Sequence, residues 1–199
     1  MSICSMKNKR QIEKDSTRSL IVEKTLELIT KQGIVDTSTK QISEYCKLAH
    51  GTLFAHFGTR DKLIAEVVSS ELKRIARQIH RLHDEGSSLE QILETYLSLI
   101  AGEEDLFVIL VKEFSFFDIS IRQEIIATET IIKKYVFEKI EEGIRDKIYK
   151  PLDITKVLSF LFGTINYYLQ RKEFFVSSGS VIESRKEDIH STFFSLIKL

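Results

Sequence analysis

Apolar residues return every three or four positions along almost the whole chain, which predicts α-helices nearly throughout. Ile21, Val22, Thr25, Leu28 and Ile29 line one face of a first helix. That helix can be capped by Ser16 or Thr17, and Gly33 supplies the residue type that ends helices. Two short patterns follow, over 39–46 behind Ser38 and over 50–57. A longer helix starts at Arg60 or Asp61 and runs to about His83, with Leu63, Ile64, Val67, Leu72, Ile75 and Ile79 inward. After Gly86-Ser87-Ser88 come helices over about 88–101, 105–117 and 120–147. Lys150-Pro151 is a boundary, because proline disfavours the α region in the residue before it. The last two helices cover about 154–172 and 181–197, the latter with Ser180 and Glu183 as a capping box.

The chain is therefore expected to be all-α, with about nine helices. A three-helix helix-turn-helix head over residues 1–60 includes an N-terminal arm, and a helical bundle body fills 61–199. Composition fits this: 199 residues, 43% hydrophobic, one proline and eight glycines. So few breakers argue against an all-β fold. Cys4 and Cys46 cannot build a disulfide framework, which points to a reduced, cytoplasmic setting. The most apolar run, 157–169, is interrupted by Ser159, Gly163, Thr164 and Asn166, too short and polar to cross a bilayer. The net charge of zero conceals an asymmetry. Residues 1–60 hold ten Lys/Arg and six Asp/Glu, a difference of +4, and the remainder holds 19 and 23, a difference of −4. A basic head on an acidic body suits nucleic acid at one end. Lys7, Lys9 and Arg10 place part of that charge in the arm, either as a solvated, disordered terminus or as an arm that follows the DNA backbone or enters the minor groove.

The most informative stretch is TKQISEYCKLAHGTLFAHFGTRDKL, residues 39–63. With Ile42, Tyr45, Leu48, Leu53, Phe54 and Phe57 as apolar weight, Thr39, Lys40, His50, Gly51, Thr52, Ala55 and His56 remain outside. They are small or hydrogen-bonding and none is acidic, as close approach to a DNA groove requires. This segment resembles the TetR family of bacterial transcriptional regulators. The resemblance rests on Gly33, Thr39-Lys40-Gln41-Ile42-Ser43, Gly51-Thr52-Leu53-Phe54-Ala55-His56-Phe57 and Thr59-Arg60-Asp61-Lys62-Leu63. It implies that Lys40, His50, Gly51, Thr52 and Ala55 face base edges, with Thr39, Phe54, His56, Arg60 and Lys62 near phosphates. Lys47 stands where the family has its turn glycine, Ser43 replaces an alanine, and Phe54 replaces a tyrosine.

The resemblance further implies a homodimer on a near-palindromic operator, released by a small apolar or aromatic effector. Leu158, Leu161 and Ile165 of the 154–172 helix, with Ile189, Phe193 and Leu196 of the last one, are the expected dimer seam. Phe107, Phe114, Phe117, Tyr135, Phe162, Asn166 and Tyr167 are the candidate pocket, each aromatic having core packing as its alternative. Thr128, Glu129 or Thr130 could add a polar contact. No phosphate loop, Cys-x-x-Cys or Gly-x-Ser-x-Gly is present, so an enzyme is not expected. His80, His83 and Asp84 make a weak metal pattern, and Glu103-Glu104 and Glu141-Glu142 read as solvated surface. No cofactor or metal is expected. The competing reading is an architectural or cell-cycle DNA-binding protein of the same fold, with a protein partner and no small effector.

Overall fold

The computed structural model describes residues 3–199, with side chains from Gln11 onward. The α-helices are α1 (Ile3–Gln32), α2 (Thr39–Tyr45), α3 (His50–Phe57), α4 (Arg60–Asp84), α5 (Leu89–Gly102), α6 (Glu104–Lys112), α7 (Ile119–Arg145), α8 (Ile154–Gln170), α9 (Lys172–Phe175) and α10 (Val181–Ile197). A 3-10 turn, Phe114–Phe116, ends what the sequence suggested as one helix to 117. Among the described residues β pairing is limited to one antiparallel bridge, Tyr149 with Lys198.

The first helix differs most from expectation. It is continuous from Ile3, not begun at Ser16 or Thr17. Nothing in residues 3–32 is Gly or Pro, so nothing interrupts it. Thr17 does not cap; its hydroxyl donates back to the Glu13 carbonyl at 2.9 Å, inside the helix. The arm expected over 1–15 is therefore helical from Ile3 onward. The first two residues, and the side chains of Cys4, Lys7, Lys9 and Arg10, lie outside the described residues.

Two apolar cores share α4. The first joins Ile21, Ile29, Ile42, Leu53, Phe57, Leu63 and Ile64 of α1–α4 with Leu106 and Leu110 of α6, Phe117, and Ile121 of α7. The second joins Ile75 and Ile79 to α5, α7, α8 and α10. The change-over falls between Leu72 and Ile75, well inside α4 rather than at residue 60. Helix α6 also touches both cores, so α4 is not the only link from body to head.

Local chemistry explains the helix ends. Ser38–Gln41 and Ser88–Gln91 are complete capping boxes. At α10 the box is only half made. Ser180 accepts from the Glu183 amide at 2.9 Å, but its own hydroxyl donates to Glu104. Glu104 is thus no solvated surface residue; it is 4% exposed. Its carboxylate also accepts from the amides of Val181 and Ile182, both at 2.9 Å, and pairs with Lys172 at 3.1 Å. The free amides at a helix start need an acceptor, and here α6 supplies it. Burial alone would lower the Lys172 ammonium, but hydrogen bonds to Asp105 and Glu104 outweigh it and hold it above its ordinary value.

Between α2 and α3 the turn is made without glycine. Lys47 takes φ +56°, with its amide on the Glu44 carbonyl at 3.0 Å and the Leu48 amide on Ser43 at 2.9 Å. A β-carbon in this left-handed region costs about 1 kcal/mol. Lys47→Gly should therefore raise the melting temperature by roughly 2–4 °C. An unchanged or lower melting temperature would show that the lysine side chain returns what its backbone loses.

Candidate nucleic-acid interface and effector cavity

The outer surface is assembled from two short helices, α2 capped by Ser38 and α3 begun at Ala49 without a side-chain cap. Ile42 and Leu53 are fully buried and fix both helices on the head core. That leaves Lys40, His50, Gly51, Phe54, Ala55 and Lys62 exposed, with Thr39, Thr52 and His56 partly so. A side chain added at Gly51 would meet nothing within 4 Å, so this patch is open for close approach. His50 Nε2 lies 3.1 Å from Thr39 Oγ1, joining the start of α2 to the start of α3. Phe54 meets the His50 ring edge-on, with centroids 4.9 Å apart. Lys40 has Glu44 at 4.0 Å, a carboxylate one turn along the same helix.

Three side chains hold this surface in place. Arg18 grips Glu66 through Nε at 2.8 Å, donates to the His56 carbonyl at the end of α3, and stacks over Phe57. Arg60, expected near a phosphate, is engaged within the head. Its guanidinium donates to the carbonyls of Thr37 (2.7 Å) and Ile34 and pairs with Asp61, bracing the loop before α2. From the other side, Glu113 at the end of α6 accepts the amides of Ile34 (2.9 Å) and Val35 (3.0 Å). Gly33, at φ +90°, fits there because a side chain would collide with the Glu113 carboxylate. No sequence pattern announced Glu113, whose partners lie 79 and 78 residues away.

The body encloses a cavity of about 320 Å³, at the small end of the range for small-molecule sites. Of the candidate pocket residues, Phe107, Phe114, Phe162 and Asn166 line it. So do Leu72 and Ile75 of α4, whose periodicity had marked them only as inward, and Tyr96 and Ile100 of α5. Thr128 and Glu129 are the other polar lining groups; Thr130 instead donates to the Ile126 carbonyl. Burial pushes the Tyr96 phenol well above its usual value, with Glu129 adding to the shift, so the hydroxyl stays neutral. Glu129 pairs with Lys133 at 2.5 Å, and Lys133 lies over the Phe162 ring.

Three candidate lining residues are elsewhere. Phe117 is buried in the head core beside Ile121. Tyr135 hydrogen-bonds His80 at 2.9 Å and stacks with His80 and His83 where α7 meets α4. Tyr167 is 48% exposed, next to Phe175. The His80–His83–Asp84 pattern is likewise tied up, since His83 faces Glu138 at 3.1 Å. No group of metal-binding side chains occurs among the described residues.

The expected dimer seam turns mostly inward in the single chain. Leu158, Leu161, Ile165, Ile189 and Phe193 are buried within the single chain, and Ile165 lines the cavity. Of the six, only Leu196 is exposed. The most regular apolar stripe of α8 faces its own body, and the residues off that stripe, Phe160 and Tyr167, face outward.

Residues 21–67 match the model for bacterial regulatory proteins of the tetR family. Across 186 residues the chain is 24% identical to the fatty acid metabolism regulator protein of Bacillus subtilis, covering 86% of this chain and 94% of the relative. An HTH-type transcriptional repressor of Mycobacterium tuberculosis is 28% identical over 67 residues, 34% of this chain and 36% of that one. A TetR transcription regulator from Haloarcula marismortui superposes with a TM-score of 0.78 at 16% identity, over 92% of this chain and 100% of that chain. The regulator FadR from Bacillus subtilis, solved with stearoyl-CoA, does so with a TM-score of 0.74 at 17% identity, over 89% and 98%. These structural likenesses establish the fold. No helix among the described residues is long and apolar enough to cross a membrane.

Proposed function

Because the chain belongs to the TetR family of bacterial DNA-binding transcriptional regulators, we propose that it is a homodimeric repressor released from a near-palindromic operator by a long-chain acyl thioester. The observation that carries this reading is the cavity, apolar except for Thr128, Glu129, Asn166 and the neutral Tyr96 hydroxyl. An acyl chain suits those walls. A free carboxylate would meet Glu129, whereas a thioester brings no charge to that point. The relationship to a fatty acid metabolism regulator and the likeness to a stearoyl-CoA complex support the same ligand class.

The cavity sits where motion would matter. Leu72 and Ile75 line it at the change-over of the two cores, and α6 lines it with Phe107, Leu110 and Val111 while Glu113 holds the loop before α2. A ligand displaces the heads only by binding the released arrangement more tightly than the DNA-bound one. Two heads related by a two-fold axis then read two half-sites about one DNA turn apart, or a multiple of it. The outward residues Phe160 and Tyr167 of α8 and Leu196 of α10 are the face that would join them.

Two measurements test this. Duplexes selected from a random library should be released by stearoyl-CoA. Asn166→Phe should keep the fold and DNA affinity but lose release, since Asn166 is exposed at the cavity and a ring there covers it without overpacking the core. Failure of any acyl thioester to release the wild type would favour the effector-free architectural reading. Separately, Lys40→Ala should lose about 1–3 kcal/mol on selected DNA and less on random DNA. Equal losses on both would remove Lys40 from base reading.

A further inference from the structure

Given the acyl thioester reading above, on which this rests, we propose that Arg122 of α7 holds the phosphates of the effector just outside the cavity. The ligand is then an acyl thioester carried on a phosphate-bearing arm. Of the residues lining the cavity only Ile126 and Asn166 are exposed, so it opens between α7 and α8. Arg122, Ile126, Glu129 and Lys133 recur at spacings of four, three and four, one face of α7. Ile126 and Glu129 line the cavity and Lys133 lies over the Phe162 ring of α8, so that face looks onto the opening. Arg122 stands one turn before Ile126, at the end of the same face.

The two cations of this face differ in what they meet. Lys133 pairs with Glu129 at 2.5 Å. Arg122 is half-buried, and its Nε is shielded from solvent with no hydrogen-bond partner among the described residues. Asp118, the carboxylate one turn before it, is occupied in capping α7: it accepts the Ser120 amide at 2.9 Å and the Ser120 hydroxyl at 2.8 Å. A buried N–H without an acceptor is destabilising, and a guanidinium presents its donors as a fork that fits two oxygens of one phosphate. The spacing along the helix fits as well. From Glu129 back to Arg122 is about 10 Å at 1.5 Å per residue, and the arginine side chain adds its own reach. The arm that joins an acyl thioester to the phosphates of coenzyme A is about a dozen bonds long, which at the reach of a peptide backbone spans about 14 Å. An acyl chain inside the cavity, its thioester at Glu129 and its phosphates at Arg122 therefore follow one side of one helix.

Release of a selected duplex is measured with stearoyl-CoA and with S-stearoylpantetheine, which keeps the chain, the thioester and the arm and lacks every phosphate. The wild type should need roughly ten- to a hundredfold more of the pantetheine thioester, the range for a hydrogen bond to a charged group. Arg122→Gln should raise the requirement for stearoyl-CoA by a similar factor and leave that for S-stearoylpantetheine as it was. Arg122→Lys keeps the charge without the fork and should fall between; it carries the test if the glutamine variant loses its helical spectrum. Coenzyme A alone and inorganic pyrophosphate should release nothing, because phosphate without an acyl chain leaves the cavity empty. Release of the wild type by neither thioester would overturn both this proposal and the function it rests on. Equal release by both would overturn this one alone, as would an Arg122→Gln variant that still prefers stearoyl-CoA by the wild-type factor. Release by pyrophosphate or coenzyme A alone would place the phosphate response away from the cavity and overturn it too.

Discussion

Glu104→Ala should lower stability by about 3–5 kcal/mol, the usual consequence of removing one member of a buried charge network. One carboxylate there serves the Val181 and Ile182 amides, the Ser180 hydroxyl and the Lys172 ammonium. Removing it orphans the two amides and the Ser180 hydroxyl proton and leaves Lys172 with Asp105 alone, in a site where Glu104 is almost wholly buried. The melting temperature should fall by roughly 6–20 °C at 2–4 °C per kcal/mol for a chain of this size. Glu104→Gln keeps an acceptor oxygen and should lose less. A melting temperature within a degree or two of wild type for the alanine variant would show that water replaces the carboxylate at the start of α10.

That contact also has an architectural meaning. Helix α6 carries Glu104 at its first residue, holding α10, while Glu113, just past its last, holds the loop before α2. Between them Phe107, Leu110 and Val111 face the cavity. One short helix thus touches the proposed dimer helix, the ligand space and the head. Loosening Glu113 alone, as Glu113→Gln, should leave the cavity intact and weaken its hold on the two loop amides.

What the sequence made legible was whatever depends on near neighbours. The helix-turn-helix was readable because Ser38, Ile42, Leu53 and Phe57 act within a few residues of one another, and the strained turn at Lys47 was visible as a missing glycine. Contacts across the chain were not. Glu104 looks like any acidic helix start until α10 arrives from 77 residues away, and Glu113 is equally silent. Aromatics divided for the same reason: Phe107, Phe114 and Phe162 line the cavity, while Phe117 fills the head core and Tyr135 serves a histidine pair. Period alone gives a helix an inward face without saying whose interior it meets. The continuation of α1 to Ile3 was obscured by polarity, since a charged segment without breakers can be helical as well as loose.

The dimer face gives the sharpest use of that distinction. Phe160→Asp and Leu161→Asp change neighbouring residues of α8 to the same side chain, yet opposite results are expected. Leu161 is fully buried in its own chain, so a carboxylate there has no partner and the protomer should unfold or melt far lower. Phe160 is 49% exposed, beside a groove formed with Thr164, Asp188 and Thr192. Phe160→Asp should therefore keep its helical spectrum. Across a two-fold interface each substitution is felt twice. With about 2 kcal/mol or more for each lost anchor, the dimer should weaken roughly a thousandfold. Asp188 adds like charge next to the new carboxylate. Sedimentation should then show a folded monomer, and DNA binding should fall although no head residue has changed, because one half-site contributes far less than two. A folded Phe160→Asp variant that remained dimeric would move the interface away from the outer face of α8 and α10. A folded, monomeric Leu161→Asp would restore the buried stripe as the seam and require α8 to turn outward in the dimer.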